Sequence, residues 1–195
     1  MYLSKSYIII IFFMFISCAT YERIPPKPRV TLSPLFSKQI YDRIGIYVND
    51  NTRKIKKGGI RIVDDEFSRA ALERGYTLAS RSDIEKILKE INFQHSNISE
   101  SAIARKAKIL NVSGILIVDI NRFKKEFVPA IYPTREYRGY YKINAAISAR
   151  LISSEIGEVV WISSYEGYLR VNRNSDGTET LSAFAYVVAS GLPDQ

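Results

Sequence analysis

The chain has 195 residues and a formal net charge of +8, with 46% hydrophobic and 25% charged residues. These fractions are those of a globular protein with a folded core. A single cysteine excludes an internal disulfide, and with a single histidine the sequence cannot build a clustered histidine–cysteine metal site. The sequence contains no glycine-rich phosphate-binding motif. We therefore expect no metal and no cofactor.

The first 17 residues have the pattern of an export signal. Lys5 precedes an unbroken apolar run from Tyr7 to Ile16, and the small residue Ser17 follows it. A helix needs about 20 apolar residues to cross a bilayer, so this run is too short to be a membrane span. A charged start, a short apolar run and small residues at its end predict a secretory signal rather than a buried core helix.

Cys18, the only cysteine, ends the sequence FISC directly after this run. An exposed thiol in an oxidising compartment is a liability, so its position requires a specific explanation. The four residues resemble the lipobox of bacterial lipoproteins, with Phe15 where leucine is usual. The resemblance implies that Cys18 becomes the first mature residue and the lipid attachment site, carrying acyl chains such as palmitate. Ala19, in place of aspartate, implies the outer membrane, and ordinary signal cleavage is the alternative.

Residues 18–39 are predicted to form a tether between the anchor and the folded domain. The segment contains Pro25, Pro26, Pro28 and Pro34. Proline keeps a chain extended at ~3.1 Å per residue, so a tether of roughly twenty residues reaches about 60 Å.

The excess of basic residues indicates which kind of partner the protein would attract. Loss of Lys5 with the signal lowers the net charge from +8 to +7. Export excludes nucleic acid, and an anionic envelope surface, such as lipid headgroups or a cell-wall polymer, is the alternative electrostatic target. A role in solubility alone is equally compatible with the charge.

Residues 40–195 are predicted to form one α/β domain, with a mixed sheet of about five strands flanked by helices in the order β-α-β-α-α-β-β-β-α. Apolar residues at alternate positions indicate strands, and apolar residues at helical spacing indicate helices. The predicted elements are a strand at 41–50, a helix from about 60 to 75, a short strand at 76–80, helices from 82 and from about 99, strands at 113–123, 141–151 and 159–171, and a helix at 181–188. Residues 124–139 are predicted to be a loop.

Two turns depend on single residues. Asn111 ends the third helix in the left-handed conformation that asparagine tolerates. Gly157 lies in the turn of a hairpin between the last two strands. The near-continuous apolar run after Asn111 predicts a strand covered on both faces, whereas the alternation over 141–151 predicts one dry face.

Three blocks, ERGYTLASRSDIEKILKE, ARKAKILNVSGILIVDI and INAAISARLISSEIGEVVW, follow one another between Ile44 and Tyr168. They resemble successive blocks of the CsgG/LpoB-like superfamily of envelope lipoproteins, which includes the curli secretion component and the outer-membrane activators of penicillin-binding proteins. Asn111, where glycine is usual, and Ile156, where threonine is usual, depart from the pattern. The resemblance implies the α/β fold of that superfamily's periplasmic domain.

Together with the export signal, the resemblance implies an outer-membrane-anchored lipoprotein whose periplasmic domain binds another envelope protein, as adaptor or activator and not as an enzyme. One alternative is a subunit that forms a homo-oligomeric secretion or assembly ring. Pro129 and Pro133 interrupt the segment that would have to span a membrane in a pore. A second alternative is a cell-wall hydrolase, although no carboxylate pair stands out and His95 has no accompanying Gly-x-Ser-x-Gly motif. We expect no catalytic residue.

The segment KKEFVPAIYPTREYRGYY, from Lys124 to Tyr141, is the predicted partner-binding site. Aromatic and arginine residues supply most interface hot spots, and a proline-braced loop presents them at low entropic cost. The residues predicted to contact a partner are Phe127, Tyr132, Arg135, Tyr137, Arg138 and Tyr140. In the alternative interpretation, these aromatic residues fold back on the domain at a solvated hairpin end.

Overall fold

The structure is a computed structural model that describes residues 27–36, 41–84, 100–109, 111–131 and 139–194. The predicted signal, Cys18, His95 and most of the predicted helix after residue 82 lie outside the described residues. Four of the predicted contact residues also lie outside them, namely Tyr132, Arg135, Tyr137 and Arg138.

The described residues form six strands and three helices, together with a helical turn at 81–84. The strands are β1 (Arg29–Leu32), β2 (Arg43–Asp50), β3 (Thr77–Leu78), β4 (Gly114–Pro129), β5 (Gly139–Ser153) and β6 (Val159–Val171). The helices are α1 (Lys57–Glu73), α2 (Glu100–Ile109) and α3 (Thr178–Ala189).

The strands form one mixed sheet in the order β1-β6-β5-β4-β2-β3. β2 is parallel to β3 and β4, whereas β4, β5 and β6 are antiparallel neighbours and β1 is antiparallel to β6. The predicted α/β class and mixed sheet are therefore confirmed, as is the predicted order of the elements that lie within the described residues, with β1 as one strand more than predicted. Asn111 (φ 55°) and Gly157 (φ 75°) adopt the left-handed conformation at the two predicted turns.

The two faces of the sheet bury separate apolar clusters. On the first face, α1 and α3 cover the larger cluster, which includes Phe67, Trp161 and Phe184. On the second face, α2 covers a smaller cluster, in which Ile103 packs near Ile115. Because α2 reaches only the start of β4, this strand is fully buried over its first seven residues and only partly buried beyond them.

β1 lies within the predicted tether of residues 18–39. Its four residues pair with Trp161–Ser164 of β6. Val30 also packs so close to Gly191 that a Cβ added there would come within 2.6 Å of its side chain. The structure therefore differs from the sequence expectation at these four residues, because pairing with a distant strand is a tertiary contact that local proline content does not reveal.

β4 continues through residues 124–129, which are predicted from the sequence to be a loop. This prediction is wrong, because these residues pair with β5 in an antiparallel ladder that extends to Pro129 opposite Gly139. Both faces of β4 are partly exposed here, so the residues lack the apolar alternation that identifies a strand in a sequence. Pro129 is the last residue of the strand, where a missing N–H is tolerated.

The carboxy-terminal residues are hydrogen-bonded to the segment that follows α1. Arg74 donates from Nε to the carbonyl of Leu192 at 2.7 Å, and the Tyr76 hydroxyl donates to the carbonyl of Pro193 at 3.1 Å. Burial raises the pKa of Tyr76 from 10.0 to about 12, because the residue is only 2% exposed and its phenolate would lose hydration.

This pKa predicts that folding stability falls in alkaline solution. The contribution of Tyr76 is fully present below the unfolded pKa of 10.0 and is lost as the pH rises toward about 12, because the unfolded chain ionises first. We expect the free energy of unfolding, measured by urea titration at a series of alkaline pH values, to fall more steeply in the wild type than in Tyr76→Phe. A Tyr186→Phe control, at a residue that is 56% exposed, should follow the wild type. Equal slopes in all three proteins would contradict the assignment.

Candidate partner-binding surface

Beyond the helices, β4, β5 and β6 continue as a three-stranded ribbon, defined here as residues 122–129, 139–146 and 165–171. Their register is regular over this length, with Tyr141 opposite both Phe127 and Val171. On the second face, the described helical elements contact the apolar cluster at the other end of β4. No helix among the described residues therefore covers the second face of the ribbon.

The loop before α3 covers part of the first face of the ribbon. Lys125 donates from Nζ to the carbonyls of Arg173 at 2.6 Å and Ser175 at 2.7 Å. Gly177 (φ 87°) lies so close to Phe123 that an added Cβ would come within 2.4 Å of the ring. These contacts hold the ribbon against the start of α3.

Cations stack on tyrosine rings on the second face of the ribbon. The Arg170 guanidinium lies 4.2 Å from the centre of the Tyr140 ring, and Lys142 Nζ lies 5.3 Å from the centre of the Tyr168 ring. A cation–π contact at an exposed site contributes ~0.5–1 kcal/mol. Because Tyr168 remains 54% exposed, the contact restrains the ring without removing it from solvent.

Glu126 is one of two carboxylates on this face and neutralises part of its positive charge. Lys124 Nζ lies 2.7 Å from one of its oxygens, and Asn144 Nδ2 donates to the other at 2.8 Å. The hydrogen bond from Lys124 is the largest cause of a pKa for Glu126 below its ordinary value, and the bond from Asn144 adds to it. Glu126 is therefore ionised near neutral pH and holds Lys124 in place.

Of the predicted contact residues, the structure describes Phe127 and Tyr140. They lie on opposite faces of the ribbon. Phe127 packs against Tyr141 on the first face, with ring centroids 5.1 Å apart, whereas Tyr140 contacts Arg170 on the second face. Phe127 remains 49% exposed, so its ring does not fold away into the domain.

The sequence alone does not predict a role for Lys142, Tyr168 or Arg170, which lie near Tyr140 on the second face of the ribbon. The signal that could have found two of them is the alternation in β6, where Glu166, Tyr168 and Arg170 occupy every second position. That spacing directs their side chains to one face of a strand.

A polar cluster marks the boundary between the covered and open parts of the second face. Asp119, which is 7% exposed, accepts hydrogen bonds from Arg150 Nη1 at 2.9 Å and from Asn49 Nδ2 at 3.0 Å. Asn51 Nδ2 donates to Asn121 at 2.9 Å in the same cluster. Arg150 Nε is buried and has no hydrogen-bond partner in the described part of the chain. Asp119 therefore compensates a partly desolvated cation in the middle of the sheet.

An open groove lies next to this cluster, between β1 and β4. Its polar lining includes Lys27, Arg29 and Asn121, together with Arg122 and Glu166, which form an ion pair. Small-molecule sites are usually more apolar and more enclosed than this groove. Within the described ranges, no cluster of three or more ligand-type side chains suits a metal ion, and no helix is long and apolar enough to cross a membrane.

These features define an α/β domain with a mixed sheet and an exposed three-stranded extension. No protein-family model and no curated protein matches the sequence. Among solved structures, a single-residue variant of the PelC dodecamer from Paraburkholderia phytofirmans is similar, with 13% identity and a TM-score of 0.50 over 87% of this chain and 99% of that chain.

Two further solved structures are similar over a smaller share of the chain. Lipoprotein GNA1162 from Neisseria meningitidis has 14% identity and a TM-score of 0.45, over 71% of this chain and 91% of that chain. The LpoB C-terminal domain from Salmonella enterica has 12% identity and a TM-score of 0.41, over 71% of this chain and 88% of that chain. At these identities the likeness concerns the fold alone, and the similarity to the PelC variant supports the α/β architecture described above.

Removal of the Asp119 charge is expected to destabilise the fold. Asp119→Asn leaves Arg150 without its anionic partner, so we expect a loss of about 1–3 kcal/mol in the free energy of unfolding. Glu126→Gln, on the same strand but in a partly exposed ion pair, should cost less. Urea unfolding of the two variants measures the difference. A loss in Asp119→Asn no larger than in Glu126→Gln would show that the cluster contributes little to stability.

Proposed function

We propose that this protein is an outer-membrane-anchored lipoprotein whose periplasmic domain binds another envelope protein, as an adaptor or activator rather than an enzyme. The observation that carries the proposal is the open second face of the ribbon, where tyrosine rings and cations are held together and face solvent. Tyrosine and arginine are the residue types enriched in interface hot spots. Kinship with the activators of penicillin-binding proteins is part of this proposal and rests on the sequence blocks.

The ribbon is suited to binding at low entropic cost. Ordering a flexible side chain on binding costs ~0.5–1.5 kcal/mol, and here the backbone ladder and the cation–π contacts already restrain the exposed side chains. The second face has more basic than acidic side chains, so we expect an acidic surface with aromatic groups on the partner. The charged residues of this face are Arg122, Lys124, Lys142 and Arg170 against Glu126 and Glu166.

Membrane attachment through Cys18 is supported by the lipobox-like FISC sequence. Because β1 begins at Arg29, about ten residues separate the proposed anchor from the sheet. An extended proline-rich segment of that length reaches ~30 Å, about half of the reach expected for a tether up to residue 39. The domain would therefore stay close to the membrane and meet partners that work near its surface.

A second candidate function is that of a subunit in a secretion or assembly ring. The similar PelC variant is described as a dodecamer, which makes ring formation a specific alternative. A ring of this chain would appear as one large species in size-exclusion chromatography and as closed particles in electron micrographs. A monomer or dimer would favour the adaptor.

Loss of the cysteine tests the anchor. We expect the wild-type chain, expressed in a bacterium with two membranes, to incorporate labelled palmitate and to sediment with the outer membrane. Cys18→Ala should lose the label and keep the uncleaved signal, because the modified residue is also the first mature residue. Ser17→Ala, which keeps a small residue beside the cysteine, is the matched control and should be labelled. Normal signal removal in Cys18→Ala would support ordinary cleavage instead.

A pull-down from crosslinked envelopes tests partner binding. The lipidated protein is compared with a variant in which Tyr140, Lys142, Tyr168 and Arg170 of the second face are changed to alanine. Since hot-spot residues cost 2 kcal/mol or more when truncated, we expect recovery of the partner to fall by at least about tenfold. Quantitative mass spectrometry of the captured proteins measures the change.

A matched control carries the same number of alanine substitutions at exposed residues far from the ribbon, namely Arg61, Leu72, Ile109 and Tyr186. This control should recover the partner as the wild type does. Equal recovery by all three proteins would contradict the placement of the site, and equal losses in the two variants would show an effect on folding. Release of soluble fragments from purified peptidoglycan by the wild-type domain would contradict the non-enzymatic role.

A further inference from the structure

The outer edge of β6 is covered over only part of its length. β1 pairs with Trp161–Ser164, and among the described residues no strand pairs with the outer edge of Tyr165–Val171. An exposed strand edge is a template for pairing with another chain. Tyr168 and Leu169 in this segment are 54% and 37% exposed.

The alternation of the strand determines which backbone groups are available at this edge. The Ser33 N–H donates to the carbonyl of Val160 at 2.9 Å, so the backbone groups of Val160 face β1. In an antiparallel pair every second residue faces the same neighbour, so residues 162 and 164 also exchange backbone hydrogen bonds with β1. The β5–β6 ladder is regular from there to the end of β6, so the alternation continues without a bulge. Glu166, Tyr168 and Arg170 therefore direct both their N–H and C=O groups away from β5.

The chain that precedes β1 is poorly suited to cover this edge. Extending the β1 register toward the amino terminus places Pro28 opposite Tyr165 and Pro25 opposite Tyr168. Proline has no N–H to donate to a ladder, and Tyr168 is one of the residues that must exchange hydrogen bonds. The segment before β1 is therefore a poor match for this edge, which favours an occupant from another chain.

We propose that Tyr165–Val171 pairs antiparallel with the same segment of a second copy of this chain, about a two-fold axis at Tyr168. In this register Tyr168 exchanges both backbone hydrogen bonds with its counterpart. Glu166 exchanges them with Arg170 of the second copy, and the symmetry repeats this pair. The outward-facing residues of the two copies thus meet one another and form about six hydrogen bonds.

The side chains are complementary in the same register. On the second face, Glu166 lies opposite Arg170 on both sides of the central tyrosine pair, and opposite charges directly across two strands attract each other. On the first face, Gly167 lies opposite Leu169 and leaves room for the exposed leucine. Glu166 is ion-paired with Arg122 of its own chain, and because both side chains are more than half exposed, exchanging this partner costs little.

This interface is isologous, so it closes at two copies. A ring differs from it, because ring subunits meet through two different surfaces. The dimer does not depend on the partner-binding function proposed above. Anchoring of both copies in one membrane would raise their effective concentration and favour the pairing.

Cysteine crosslinking of the full chain in its native membrane tests the register. In a Tyr168→Cys variant the two Cα atoms would lie about 5.5 Å apart, within the disulfide range of about 4.4–6.8 Å. We expect a covalent dimer on non-reducing gels after mild oxidation. Arg170→Cys is the matched control, because its two copies would lie about 13 Å or more apart and should stay monomeric. The parent chain, which contains Cys18 like every variant, provides the background.

Two further experiments test the same register, one by co-expressing two different cysteine variants and one by exchanging the charges at positions 166 and 170. Co-expression of Glu166→Cys and Arg170→Cys copies should give a mixed dimer that neither gives alone. In the Tyr168→Cys background, Glu166→Arg should lower the dimer yield about tenfold, because two attractive pairs become repulsive, and adding Arg170→Glu should restore it.

Three results would overturn the proposal: no dimer from Tyr168→Cys at the wild-type protein level, equal crosslinking of Arg170→Cys, or no response to charge exchange. Loss of the dimer with the captured partner retained would leave the proposed partner-binding function standing.

Discussion

The continuous antiparallel ladder of β4, β5 and β6 is the constraint on which the rest of the structure depends. β5 pairs with both neighbours along nearly its whole length, so one set of backbone hydrogen bonds supports the buried sheet at one end and the ribbon at the other. Along β4 the burial changes from complete to partial while the pairing continues. The exposed side chains of the ribbon are therefore positioned mainly by main-chain pairing, and their chemistry is largely independent of the core.

Elements that depend on nearby residues could be predicted from the sequence. The left-handed Asn111, the hairpin turn at Gly157 and the buried face of α1 around Phe67 each follow from patterns within a few positions. β1 and the distal part of β4 could not be predicted, because neither has a dry face that imposes an apolar alternation. The prolines beside these two segments also favour a tether and a loop, although backbone pairing overrides that preference.

The candidate surface was predictable in composition but not in geometry. Phe127 and Tyr140 belong to a segment whose aromatic and basic content indicates an interface, yet the strand alternation places them on opposite faces. The contact between Tyr140 and Arg170 joins residues thirty positions apart, at the open end of the β5–β6 hairpin, and it depends on the β5–β6 register. A surface assembled from several strands is visible only once the pairing of those strands is known.

The attachment of β1 has a mechanical consequence for a domain held by its amino terminus. With the anchor proposed at Cys18, a pulling force from the membrane would enter the domain at β1, whose four residues bury little apolar area, since Val30 and Leu32 are 46% and 49% exposed. Under load this strand would detach before the rest of the sheet and release the chain up to Ser33, short of the Phe36 ring, which stacks on Tyr41 with ring centroids 5.1 Å apart. The tether would lengthen by ~15 Å, so the folded domain could follow a partner across a gap of varying width.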